Sequence, residues 1–260
     1  MPDCREHPAR TRFQISWALP FLLPLLLAGR PLRGQEVLPY LEAGLGQKQG
    51  DFGTPIQSTL GLAYATYGAA SARWDASLTV PYLSLKREGG GLSAQDQGLG
   101  DVLARGAYRF LPETEGGWSL DGMGALKLPT ASDTQGLGTG RTDAGGFLAL
   151  HQRLGRFQWT LLGGWVQGIS SYQTSTVGNL TSGAYEAGLG GAWYVDRTRW
   201  GLSFEARGAA FQGTPGAREV SADVFHLFST KWGVKAVVTA GLTDGGPKRS
   251  VGVAVIRYFQ

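Results

Sequence analysis

Cysteine is nearly missing. The single one, Cys4, stands at the extreme N-terminus of a 260-residue chain, so neither a disulfide framework nor thiol chemistry is open to the rest. Charge is sparse too: Asp, Glu, Lys and Arg together make up 17%, and the positive excess sits at one end. Arg5, Arg10, Arg12, Arg30 and Arg33 stand against only Asp3 and Glu6 within residues 1–34. The remainder is close to neutral and lacks the basic patch that nucleic-acid binding needs. Of the histidines, only His151 and His226 lie beyond residue 34. Without a Cys or a His pair at ligand spacing, neither a metal site nor a cofactor is expected. Beyond residue 34 no segment approaches the ~18 consecutive apolar residues of a spanning helix. Such a chain enters a bilayer only as a closed barrel, the one other structure that satisfies every backbone group in lipid.

What is present in quantity is glycine and aromatic surface: 41 Gly, eight Trp and nine Tyr. There is no collagen period, and the chain is too apolar for a disordered linker. The first residues read separately. A basic stretch precedes the apolar run Ile15–Leu27, which is interrupted by Pro20 and Pro24 and followed by Ala28 and Gly29. This is the layout of a secretory signal peptide. Residues 1–34 are therefore expected to be removed, with cleavage somewhere in 29–35, and 35–260 to form the exported domain.

That domain alternates with period 2. Strands are expected near 37–46, 56–66, 71–85, 99–111, 117–128, 142–154, 156–167, 184–195, 199–211, 218–229, 231–242 and 249–259. In 71–85, Trp74, Ala76, Leu78, Val80 and Tyr82 share one face, and Arg73, Asp75, Ser77 and Thr79 the other. A soluble sandwich alternates as well. Here, however, the apolar faces are padded with Gly and Ala, and aromatics gather at strand ends as interfacial girdles do. The connections also alternate, longer at 47–55, 86–98, 129–141, 168–183 and 212–217, tight at 67–70, 112–116, 155, 196–198 and 230. Short periplasmic turns with longer external loops mark an outer-membrane barrel. The expected fold is all-β, a transmembrane antiparallel up-and-down β-barrel of about twelve strands.

Val80-Pro81-Tyr82-Leu83, then Gly98-Leu99-Gly100-Asp101 running into Tyr108-Arg109-Phe110, resemble the outer-membrane transporters grouped under the MetA pathway of phenol degradation. Lys127-Leu128-Pro129-Thr130, Leu137-Gly138-Thr139-Gly140 and Asp143 carry the same resemblance, which is best over 72–155. Ala131 departs from the Gly common there. The resemblance implies a barrel with a transport role and, by the family's name alone, hydrophobic or aromatic compounds. It brings no catalytic residues.

Inward-phase charges are the candidate lumen lining: Arg73, Asp75, Arg105, Arg109, Asp121, Lys127, Glu186, Glu205, Arg207, Asp223 and Lys235. They serve either as salt-bridged filling or as a selectivity lining. Arg73, Arg105, Arg109 and Lys127 together suggest a basic ladder, partly neutralised by Asp75 and Asp121, that favours anions. Gly136-Leu137-Gly138-Thr139-Gly140 lacks the following helix of a phosphate loop and reads as an external loop. Asn179-Leu180-Thr181 matches a glycosylation acceptor by chance in such a barrel. Ser221 and Ser229 lie near His226 in sequence without an evident orienting group, so no hydrolytic triad is expected. The expected function is passive passage of small solutes through the outer membrane, not catalysis. An outer-membrane enzyme acting on lipid and a structural or adhesive barrel are the alternatives. Expected partners are outer-membrane lipid, the barrel-assembly machinery and a solute the sequence does not identify.

Overall fold

The computed structural model describes residues 37–51, 55–114, 116–167, 183–209 and 215–259. The expected leader and Asn179 lie outside the described residues. Thirteen strands are found among them: β1 (Leu38–Gly50), β2 (Gln57–Ala70), β3 (Trp74–Gly89), β4 (Leu92–Leu99), β5 (Val102–Leu111), β6 (Trp118–Leu128), β7 (Asp143–Leu154), β8 (Phe157–Gln167), β9 (Ala184–Val195), β10 (Thr198–Arg207), β11 (Ala217–Leu227), β12 (Trp232–Gly241) and β13 (Arg249–Tyr258). All pair antiparallel with their neighbours. The ring closes where β1 meets β13 over a register running from Tyr40↔Tyr258 to Gln49↔Arg249. The result is a closed barrel of twelve strands plus one extra strand.

The extra strand is a continuation. The lower part of β3 pairs with β5, ending at Thr79↔Leu103, and its upper part pairs with β4, starting at Tyr82↔Leu99. Three steps along β3 answer to four along the partner, which places a bulge at Gly100-Asp101. Residues 86–98, expected as an external loop, are instead the upper half of this long hairpin. Its inward face is covered there, with Leu83, Leu85 and Arg87 buried, while Lys86 and Glu88 on the other face are exposed, so the strand persists after the apolar alternation stops.

Exposure is inverted relative to a soluble protein. Leu45 and Leu202 are each 61% exposed, whereas Asp101, Lys127 and Asp143 are all below 9%. Large apolar side chains exposed along strand after strand, with buried charge behind them, fit lipid outside and a polar interior. A sandwich would bury the Leu and Val face.

An aromatic belt rings the end with the short turns. Trp118 and Trp159 meet edge to face at 5.2 Å, Tyr108 and Phe110 at 5.3 Å, and Phe157 and Trp193 at 6.2 Å. Arg257 lies over both Trp232 and Phe259. Amphipathic rings and a snorkelling cation suit the lipid–water boundary.

Candidate functional site

Period 2 sends alternate residues of each strand into the lumen. On β1 and β2 the inward set includes two tyrosines laid over glycines. Tyr64 stands directly opposite Gly44, and Tyr40 opposite Gly68. A Cβ on Gly44 would lie 2.5 Å from the Tyr64 ring, and one on Gly68 would lie 2.3 Å from that of Tyr40. Only glycine lets the rings lie against the wall. From there Tyr64 donates to Glu42 (2.6 Å) and Tyr40 to Asp75 (3.2 Å); Lys235 reaches the same Glu42 at 2.9 Å. Gly44→Val is expected to swing the Tyr64 ring off the wall, at roughly 1–3 kcal/mol of overpacking cost, and to lower single-channel conductance. An unchanged current in a planar bilayer would refute this role for Gly44.

Toward the short-turn end, Arg109 donates to both oxygens of Asp121 (2.8 and 3.1 Å). This two-point geometry is the strongest ion pair available to arginine. His151 Nε2 lies 3.4 Å from the same carboxylate, with its Nδ1 2.8 Å from Thr160 Oγ1. Arg199 pairs with Asp223 at 2.6 Å. Arg207 pairs with Glu186 at 3.1 Å.

Near the opposite mouth, the motifs that carried the family resemblance converge, except Tyr108-Arg109-Phe110, which lies at the short-turn end. Asp101, at the bulge, accepts from the backbone N–H of Ala131 (3.0 Å) and Thr139 (3.3 Å). Lys127 lies 3.4 Å from Asp101 and also bonds Asp143 and Thr139. Thr130 Oγ1 donates to the Gly100 carbonyl and accepts from the Val102 N–H. These contacts fold the β6–β7 connection, 129–142, over the inward-facing wall. Its Leu137 is 2% exposed, packed with Leu60, Leu83 and Leu85 from the lumen side of β2 and β3. Gly138 is required because a Cβ there would lie 2.6 Å from an Asp101 oxygen. The glycine-rich run expected as an external loop is a pinned element lying on the lumen wall at the mouth.

Of the eleven expected lining residues, ten lie on strands in the inward phase: Asp75, Arg105, Arg109, Asp121, Lys127, Glu186, Glu205, Arg207, Asp223 and Lys235. Arg73 does not. It occupies the exposed turn before β3, where its carbonyl accepts from the Arg109 N–H at 2.7 Å. The basic ladder is therefore not formed as expected. Arg73 is on the rim, Arg109 and Lys127 are tied to carboxylates, and only Arg105 extends free into the lumen. Sequence reasoning missed Glu42, Asp101, Asp143, Arg199 and Glu219, all marked by the same alternation, and Lys48, placed beyond the expected end of its strand. His226, on the outer face, bonds Thr198 at 2.8 Å. Ser221 bonds Thr239 at 2.9 Å, and Ser229 caps the β11–β12 turn. Neither serine bonds His226 among the described residues. No cluster of His, Cys, Asp and Glu suited to a metal occurs among the described residues.

No family model matches the chain, and no curated protein does. Solved structures match its fold. It is similar to an outer-membrane channel from Pseudomonas putida F1 at 15% identity and TM-score 0.65, covering 88% of this chain and 99% of that one. It is similar also to the KdgM porin, at 8% identity and TM-score 0.53, covering 84% and 99%. The translocator domain of the autotransporter NalP from Neisseria meningitidis shows 13% identity and TM-score 0.54, covering 93% and 95%. The shared feature is the outer-membrane barrel.

Proposed function

We propose that this chain is a passive outer-membrane channel for small polar solutes, exported through a cleaved signal peptide and inserted by the barrel-assembly machinery. The observation that carries the reading is Arg105. It points inward on β5 yet is exposed to solvent, and it makes no ion pair among the described residues. An unpaired guanidinium in a dry interior would cost several kcal/mol, so the lumen around it holds water. Hydrophobic or aromatic solutes, implied by the motif resemblance, find both charges and apolar side chains on this wall, Leu103, Met123, Phe147 and Phe225 among the latter. On the outer face, an apolar groove of about 560 Å³ runs over Ala43, Ala63 and Ala65 between Leu45, Val80 and Tyr82. Outer-membrane lipid chains suit that groove.

Phospholipid vesicles containing the purified protein should swell in isosmotic glycerol, and progressively more slowly in mono- and disaccharides. Vesicles that swell no faster than protein-free ones in every solute would overturn the channel reading.

A further inference from the structure

Near the mouth with the longer connections, the lumen gathers charges that no local pair accounts for. Lys48, inward on β1, lies within electrostatic range of Glu219 on β11, Glu205 and Arg207 on β10, and Arg105 on β5. Glu205 and Glu219 stand directly opposite each other across β10 and β11, both inward, and Glu205 lies within range also of Glu186, Arg207 and Lys48. Strands β5 and β11 stand on opposite sides of the ring, the same number of strands apart in either direction. Arg105 on β5 thus faces the free carboxylates of β10 and β11 across the lumen, and Lys48 on β1 stands midway between β5 and β11.

Arg207 and Glu186 satisfy each other. The other four have no close partner among the described residues, and one oxygen of Glu219 is buried without a hydrogen bond. The two cations balance the two anions, so the group carries no net charge. A simple anion is drawn to one wall and repelled by the other, as is a simple cation, and a neutral solute gains little from either. A solute with an ammonium at one end and a carboxylate at the other meets a complementary charge on each side, within low-dielectric walls that focus the field.

We propose that Lys48, Arg105, Glu205 and Glu219 form a dipolar binding station that favours small zwitterionic solutes over neutral or singly charged ones of the same size. This rests on the channel reading, and the test separates the two. Uptake of γ-aminobutyrate by vesicles containing the full protein is compared with uptake of its uncharged isomer, 4-hydroxybutanamide, and of butyrate. The zwitterion should enter about fivefold faster than its isomer, the ratio that ~1 kcal/mol of differential interaction gives. Glu205→Gln with Glu219→Gln should bring that ratio close to one while the isomer's own rate is kept, which also shows the variant barrel to be intact. Lys48→Met with Arg105→Met should do the same. Equal rates for zwitterion and isomer in the wild type would overturn the station and leave the channel standing. So would butyrate entering fastest, or variants that slow both isomers in proportion. Entry of none of the three would overturn both.

Discussion

Replacing Asp101 with alanine is expected to release the 129–142 connection and raise single-channel conductance several-fold. The substitution removes the acceptor for two backbone amides, those of Ala131 and Thr139. Leaving a buried donor unsatisfied costs about 1–3 kcal/mol each. Burying Leu137 contributes about 1.5–3 kcal/mol in the other direction, and the Thr130 and Lys127 bonds to the connection remain, so the balance shifts toward the released connection. Lys127 keeps Asp143, and the barrel should retain its heat-modifiable migration. Arg141, within the connection, supplies a second readout: trypsin should cut there in the variant and spare the wild type. Conductance and protection both equal to wild type would mean that the connection neither narrows the mouth nor depends on Asp101. Asp101→Asn keeps acceptor oxygen and shape, and should fall between the two.

A larger effect on assembly is expected from arginine at Leu78 or Val80. Both are exposed on the outer face, at 46% and 41%. A cation at the bilayer midplane costs about 2–4 kcal/mol, a large share of the stability of an ordinary domain. Arginine at Thr79 between them, whose hydroxyl meets Thr66 at 2.7 Å on the lumen side, should be tolerated. The fraction of heat-modifiable, folded protein recovered from membranes reports the difference. Similar losses at all three positions would contradict the assignment of the two faces.

Strands were legible where one face meets lipid and the other water, because that contrast writes an alternating pattern. Trp74 to Tyr82 shows it plainly. The pattern stops at the membrane boundary while the backbone does not. Lys86, Arg87 and Glu88 continue β3, and Gln47, Lys48 and Gln49 continue β1, with nothing apolar to announce them. Lys48 was lost for that reason. Face assignment was legible; pairing was not. Nothing in the spacing of Lys127 and Asp143 says that they stand directly opposite each other, or that Lys127 also reaches Asp101, because strand register decides both. That the 129–142 connection folds inward over them is written nowhere in the spacing. The short motifs were visible as a resemblance, yet their common purpose, pinning that connection, appears only when the strands are set side by side. Function is less legible still, since one barrel serves channels, porins and the translocator domain of an autotransporter.

The seam between β1 and β13 also fixes an order of events. It joins Gln49 to Arg249, 200 residues away, whereas the other pairings link strands that follow one another closely. Hairpins can form as soon as their two strands exist, but the cylinder cannot close until its last strand arrives to meet its first. Until then both margins carry unpaired backbone groups that lipid cannot satisfy. Loss of β13 would therefore do more than shorten the protein by one strand. It would leave an open sheet with two exposed margins, prone to pair with other chains, and the late step should be the slow one.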